Sequence, residues 1–79
     1  MNIRIYTTSW CRDCRQAKKF LEENHLSFEE LDIEVDLQAA KFVRSVNEGK
    51  RRVPTFDVDG HIFSCSPFEA QDLKKQLGL

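Results

Sequence analysis

The stretch IRIYTTSWCRDCRQAKKFLEEN, residues 3–24, decides the fold. Ile3 and Ile5 alternate with Arg4 and Tyr6, the two-residue period of a strand, and the strand runs into the polar turn Thr7-Thr8-Ser9. From Cys11 the period changes. Cys14, Ala17 and Leu21 fall at i, i+3 and i+7, Phe20 broadens the apolar stripe, and Lys18, Lys19, Glu22 and Glu23 take the wet side, so an amphipathic helix is predicted from Cys11 to about Asn24. A Cys-x-x-Cys pair therefore sits where a strand gives way to a helix. A thiolate at that junction faces unpaired backbone N–H groups and the positive end of the helix dipole, a setting in which a cysteine pKa can fall to roughly 3.5–7.5. The second cysteine follows one turn later, within reach of the first. Thiol–disulfide chemistry is the expectation.

Outward from this core, Phe28, Leu31, Ile33 and Val35 predict a second strand, interrupted by acidic residues that suit a sheet edge. Asp36 is the expected N-cap of a second helix with Leu37, Ala40, Val43 and Val46 on one stripe, flanked by Phe42 and ending around Asn47-Glu48-Gly49. Val53 to Val58 reads as a third strand whose Pro54 cannot donate to a ladder and belongs at its start or edge. Asp59-Gly60 signals a tight hairpin into His61-Ile62-Phe63-Ser64. Ser66-Pro67-Phe68-Glu69 has the spacing of a capping box with proline at the first helical position, and Ala70, Leu73 and Leu77 continue that helix face. The order β-α-β-α-β-β-α implies an α/β fold: a parallel pair with a right-handed crossover, an antiparallel hairpin, and thus a mixed four-stranded sheet with three helices in one domain, residues 1–79. Ligands of such sheets gather beyond the carboxyl ends of the parallel strands, where Thr7 to Cys14 lie.

Composition narrows the function. With 12 basic and 13 acidic side chains in 79 residues, the formal charge is −1, and no global field argues for nucleic acid. The six phenylalanines have core spacing without basic interleaving, so no base-stacking surface is expected. No run approaches the length of a membrane span, and no apolar leader follows Met1, so a cytoplasmic monomer is expected. Three cysteines cannot all pair internally, and closely spaced cysteines in a reducing compartment are catalytic or metal-binding more often than structural.

The segments Tyr6-Thr7-Thr8-Ser9-Trp10-Cys11-Arg12-Asp13-Cys14 and Val53-Pro54-Thr55 resemble the glutaredoxins, proteins of the thioredoxin fold. With Phe42-Val43-x-Ser45-Val46-Asn47, the chain looks most like the mycoredoxin branch of that family. The resemblance implies a thiol–disulfide oxidoreductase in which Cys11 is the nucleophile and Cys14 the resolving thiol. It implies no tightly bound cofactor and a low-molecular-weight thiol of the glutathione or mycothiol type as co-substrate. Proteins carrying disulfides would be the clients, and a thioredoxin-type reductase is a further candidate partner. It also implies a cis Val53–Pro54 bond facing the cysteines, with Val53 free to pair its backbone with substrate. Candidate substrate contacts are Thr8, Trp10, Arg12, Arg52, Val53, Pro54, Ser64, Cys65 and Ser66. Lys50 or Arg52 would meet a carboxylate of the small thiol, and the loop Ser64-Cys65-Ser66 before the last helix would receive another. Two departures bear on substrate choice: Arg12-Asp13 replaces the more usual Gly-Tyr or Pro-Tyr, and Cys65 stands where the family has no fixed cysteine; the Gly-Gly-x-Asp loop of glutathione-dependent members is also absent, which weakens the case for glutathione itself.

Other readings of the same residues remain. Cys-x-x-Cys is also half of a zinc or iron–sulfur site, but there is no second such pair, and only Cys65, His25 and His61 are left as ligands. Cys65 alone reads first as a small buried residue. Lys50-Arg51-Arg52 in isolation would be a solvated turn, and Trp10 is either a lid beside the nucleophile or a packing residue. A dedicated electron donor to ribonucleotide reductase is the enzymatic alternative. It is weakened by Phe63-Ser64-Cys65-Ser66, which stands where such donors carry a Trp-Ser-Gly-Phe-like segment.

Overall fold

A computed structural model describes all residues, Met1–Leu79. The elements are β1 (Ile3–Thr7), α1 (Arg12–Glu23), β2 (Glu29–Asp32), α2 (Leu37–Val46), β3 (Thr55–Val58), β4 (His61–Ser64) and α3 (Ala70–Gln76). They form the predicted β-α-β-α-β-β-α order, with the four strands arranged β2-β1-β3-β4. β1 pairs parallel with β2, and β3 pairs antiparallel with both β1 and β4.

Strand alternation sorts the apolar residues onto two faces. Ile3 lies opposite Val58 and Ile5 opposite Phe56, so these four side chains share one face. Ala17 and Leu21 of α1, with Leu73 and Leu77 from the C-terminal end of the chain, close over them; Ile5, Ala17, Leu21, Phe56 and Leu73 are fully buried. Phe63 stacks on Phe56 with centroids 5.0 Å apart. Tyr6 points to the opposite face, where Ile33, Ala39, Ala40 and Val43 form a smaller core and Phe42 stacks on the tyrosine ring at 5.0 Å.

Four local expectations change. β2 is confined to Glu29–Asp32, because the Asp32 carboxylate accepts the Glu34 N–H (2.8 Å) and its carbonyl accepts those of Val35 and Asp36, converting the expected end of the strand into a turn. Val35 is accordingly 80% exposed. Asp36 does cap α2, accepting from Ala39 N–H at 3.0 Å, yet the helix packs through Ala39, Ala40 and Val43, leaving Leu37 exposed and Val46 near the rim. β3 starts at Thr55, one residue after the proline that has no N–H to give. The capping box is not used: Ser66 Oγ and Phe68 N–H are directed to Asp13, and α3 begins at Ala70, itself exposed, with Glu69 making no side-chain cap bond.

The turn Asp59-Gly60 joins β3 to β4 with φ of 53° and 91°, the left-handed pair that a two-residue hairpin requires and that glycine adopts without penalty. Because β1 and β3 are antiparallel, the carboxyl end of β1 adjoins the start of β3, and Tyr6 pairs with Thr55. Because β3 and β4 are antiparallel, the end of β4 returns to the same edge, where Thr55 pairs with Ser64. β2, parallel to β1, ends there too, so four connections converge at one end of the sheet: residues 8–11, 33–36, 47–54 and 65–69. Phe56→Ala will lower the unfolding free energy by about 3–5 kcal/mol, and Asp36→Ala by about 1 kcal/mol, measured by urea denaturation; equal effects would contradict the division between a fully buried ring and a surface cap.

Candidate active site

Cys11 is the N-cap of α1. It keeps extended backbone angles (φ −82°, ψ 113°), and its Sγ accepts the Cys14 N–H at 3.0 Å, doing for the helix what a serine or aspartate oxygen usually does. Cys14 lies one turn on, 1% exposed, and the two are joined as a disulfide with Cα atoms 5.2 Å apart. Cys11 is 7% exposed and forms part of the wall of an open groove. Of the pair, it is the sulfur on the groove side.

The groove holds about 460 Å³ and is lined by Trp10 to Asp13, by Lys50 to Val53, and by Ser66. It thus collects one side chain or more from three of the four converging loops. The Val53–Pro54 peptide is cis, and the Val53 carbonyl oxygen lies 3.9 Å from Cys11 Sγ. Two hydrogen bonds fix this segment: Thr55 Oγ1 donates to the Arg52 carbonyl at 2.6 Å, and Asn47 Nδ2 donates to Thr55 Oγ1 at 3.1 Å. The same asparagine donates to the Val43 carbonyl at 2.8 Å, so the end of α2 anchors the basic turn. Lys50, Arg51 and Arg52 are all exposed, and their charge faces a groove beside a sulfur.

The remaining candidates stand behind or beside the groove. Thr8 is buried with its hydroxyl unpartnered, and its carbonyl accepts the Cys11 N–H at 3.3 Å. Pro54 is buried, and its carbonyl accepts the Cys65 N–H at 3.2 Å. Ser64 ends β4 and is half-buried. The Cys65 side chain belongs to the larger core, 2% exposed, and burial pushes its thiol above the ordinary cysteine range. No three or more His, Cys, Asp and Glu side chains gather in a metal-binding group.

Two acidic residues shape the site: Asp13, noted in the sequence only as part of the Arg12-Asp13 departure, and Glu34, which no sequence signal marked. Asp13 accepts the Phe68 N–H at 3.1 Å and the Ser66 hydroxyl at 3.4 Å, tying α1 to the loop before α3. Glu34, just past β2, accepts Trp10 Nε1–H at 2.7 Å through one oxygen and Arg51 at 3.1 Å through the other. The indole is 67% exposed, so this hydrogen bond, rather than burial, orients Trp10 at the groove edge. The bonds from Trp10 and Arg51 hold the Glu34 carboxyl below the ordinary glutamate range. Glu30 is treated differently: burial opposes its ionisation, but bonds from Lys18 and Thr7 (2.8 and 2.7 Å) outweigh that and lower its pKa.

The depressed Glu34 pKa fixes a pH dependence. The carboxylate contact with Trp10 is complete above the ordinary glutamate range and is lost as pH falls through the lowered folded value. Trp10 is the only tryptophan, so its fluorescence will report a transition on the acid side of that range, and Glu34→Gln will remove it. Persistence of the same transition in Glu34→Gln would show that Glu34 does not hold the indole.

The sequence matches the Glutaredoxin family model over residues 3–63. A protein of Mycobacterium tuberculosis assigned to the glutaredoxins is 51% identical over 53 residues, spanning 67% of this chain and only 63% of that relative. Mycoredoxin 1 of Corynebacterium glutamicum is 34% identical over 94% of this chain and 91% of its own length, and glutaredoxin 3 of Escherichia coli is 36% identical over 92% and 88%. Among solved structures, the glutaredoxin-like protein NrdH-redoxin of Escherichia coli superposes with a TM-score of 0.79 at 25% identity, over 95% of this chain and 93% of that one. A thioredoxin-like protein superposes with a TM-score of 0.80 at 27% identity, over 95% and 97%. With its thioredoxin-like fold and its Cys-x-x-Cys at the helix start, this chain belongs to the glutaredoxin family.

Proposed function

We propose that the protein is a thiol–disulfide oxidoreductase that reduces protein disulfides and mixed disulfides between proteins and a low-molecular-weight thiol. The observation that carries this reading is the asymmetry of the pair. Cys11 Sγ caps α1 at the wall of a groove rimmed by basic side chains, while Cys14 is buried one turn behind it. In the reduced protein, the Cys14 N–H that now meets the Cys11 sulfur and the positive end of the helix dipole favour its thiolate. That thiolate attacks a substrate sulfur, forming a Cys11 mixed disulfide and expelling the partner as a thiolate that takes up a proton. Cys14 then loses its proton and attacks Cys11 Sγ, expelling the bound thiol and leaving the Cys11–Cys14 disulfide. Two electrons pass from the dithiol to the substrate. Recharging needs two equivalents of a small thiol, or a reductase.

Lys50 and Arg52, with Arg51 tied to Glu34, supply cations for a carboxylate of a glutathione-type thiol and donors for the hydroxyls of an uncharged mycothiol-type thiol, and Val53 offers backbone groups to an extended substrate. Trp10 and Arg12 complete the contact surface. The protein acts as a single cytoplasmic domain and as a monomer in this reading. The likeness to NrdH-redoxin, whose activity profile is described as thioredoxin-like, supports a second reading: recharging by thioredoxin reductase, as an electron donor.

The deciding experiment is NADPH-coupled reduction of a mixed disulfide with three recharging systems: glutathione plus its reductase, mycothiol plus its reductase, and thioredoxin reductase alone. Turnover in a small-thiol arm supports the first reading, and turnover only with thioredoxin reductase supports the second. Cys11→Ser will fall to the uncatalysed background in the active arm, whereas Cys14→Ser will retain mixed-disulfide reduction and lose dithiol chemistry. Activity surviving in Cys11→Ser would overturn the assignment of the nucleophile.

A further inference from the structure

The groove has two unlike walls. One is the basic turn Lys50-Arg51-Arg52. The other is formed where α1 meets the loop before α3, and there the donors that an incoming carboxylate would seek are already engaged: Asp13 takes the Phe68 N–H at 3.1 Å and the Ser66 hydroxyl at 3.4 Å. Asp13 is only half-buried and forms no ion pair; the salt bridges in the molecule are Arg4–Glu29, Lys18–Glu30 and Arg51–Glu34. Its charge therefore remains directed at the groove, one residue short of Cys14 and two beyond Cys11. A small thiol held by Lys50 to Arg52 through one carboxylate would bring its other end against this wall. If that end carries a second carboxylate, it meets the charge of Asp13 and finds the Phe68 N–H and Ser66 hydroxyl already taken, with the exposed Arg12 as the cation left on that side; if it is hydroxylated, neutral or cationic, it meets an acceptor.

Resting on the oxidoreductase reading above, we infer that Asp13 is a selectivity residue, an internal carboxylate that occupies the Phe68 N–H and Ser66 hydroxyl and biases the protein against small thiols bearing a carboxylate at that end. The residue acts on choice of partner, while the sulfur chemistry stays with the cysteines.

The test uses reduced full-length protein and two small disulfides, each reacting as dithiol plus RSSR to give the protein disulfide and two RSH. Glutathione disulfide carries carboxylates at both ends of each half, and bis(2-hydroxyethyl) disulfide carries none. The second-order rate constants are read from free-thiol loss. Asp13→Asn keeps an oxygen to accept the Phe68 N–H and removes the charge, and Asp13→Ser does so with a shorter acceptor. Removing a negative charge beside the thiols also alters their reactivity, but that change acts on both substrates and cancels in the ratio of rate constants. Each variant will raise the ratio for glutathione disulfide over the neutral disulfide about fivefold at low salt, the size expected of one like-charge contact about 4 Å apart and screened as in water, and the gain will shrink at high salt, when the Debye length falls to about 3 Å. A ratio unchanged from wild type, or a rise insensitive to salt, overturns the inference and leaves the oxidoreductase assignment standing. Wild-type protein inert towards both disulfides overturns that assignment and the inference with it.

Discussion

The site depends on one hydrogen bond, from the Cys14 N–H to Cys11 Sγ. A helix start leaves backbone N–H groups without partners, and folded chains usually satisfy them with an oxygen. Here sulfur does so, and the constraint works in both directions. The helix needs an acceptor at position 11, so the cysteine is held in an extended cap geometry with its Sγ toward the first turn. The sulfur in turn needs a donor to carry negative charge, and the helix supplies one that is fixed in place before any reaction begins. Capping and activation of the thiol are one contact.

That contact is held in place by the sheet behind it. β1 lies between β2 and β3, and its residues alternate between two cores: Ile3 and Ile5 beneath α1 and α3, Tyr6 beneath α2. A one-residue slip of β1 would exchange those faces and rotate the turn that carries Cys11. The antiparallel neighbour has a second effect. Pairing β1 against β3 brings the end of one strand beside the start of the other, so the cis Val53–Pro54 segment and the cysteines meet although they are some forty residues apart in sequence. The interior of the fold thus determines which loops share the groove, and the loops determine its charge.

The order of elements, the helix beginning at Cys11, the Asp36 cap and the Asp59-Gly60 hairpin were legible because each rests on local chemistry: a period, a capping side chain, or a backbone angle that few residues accept. The errors came where a side chain found a distant partner, or a nearer one than the pattern implied. Asp32 turned on its own backbone and ended β2 before Val35. Ser66 had the spacing of a cap, but its hydroxyl and the neighbouring Phe68 N–H went to Asp13, more than fifty residues earlier. The apolar stripe of α2 was displaced toward Ala39 because helix rotation is set by the surface it meets, here Tyr6 and Ile33, and that surface is invisible in the helix's own sequence. The same limit explains why Glu34 went unmarked and why Asp13, visible between the cysteines, could not be given its partners: an acidic side chain has no spacing signal for a distant donor, and its role appears only when its acceptor atoms are placed.

These two acids alter the electrical character of the groove in opposite ways. Glu34 is tied to Arg51 and Trp10, so it offsets part of the basic turn and leaves Lys50 and Arg52 as the cations without an ion-pair partner there. Asp13 is bonded only to neutral donors, so its charge is retained. A groove that the run Lys50-Arg51-Arg52 alone would make uniformly basic is therefore graded, with free cations at one wall and the Asp13 carboxylate beside Arg12 at the other. Hydrogen bonding to neutral groups orients a carboxylate without cancelling it, whereas an ion pair does both. The partners of each acid, more than the number of charges, determine what the sulfur at Cys11 is offered.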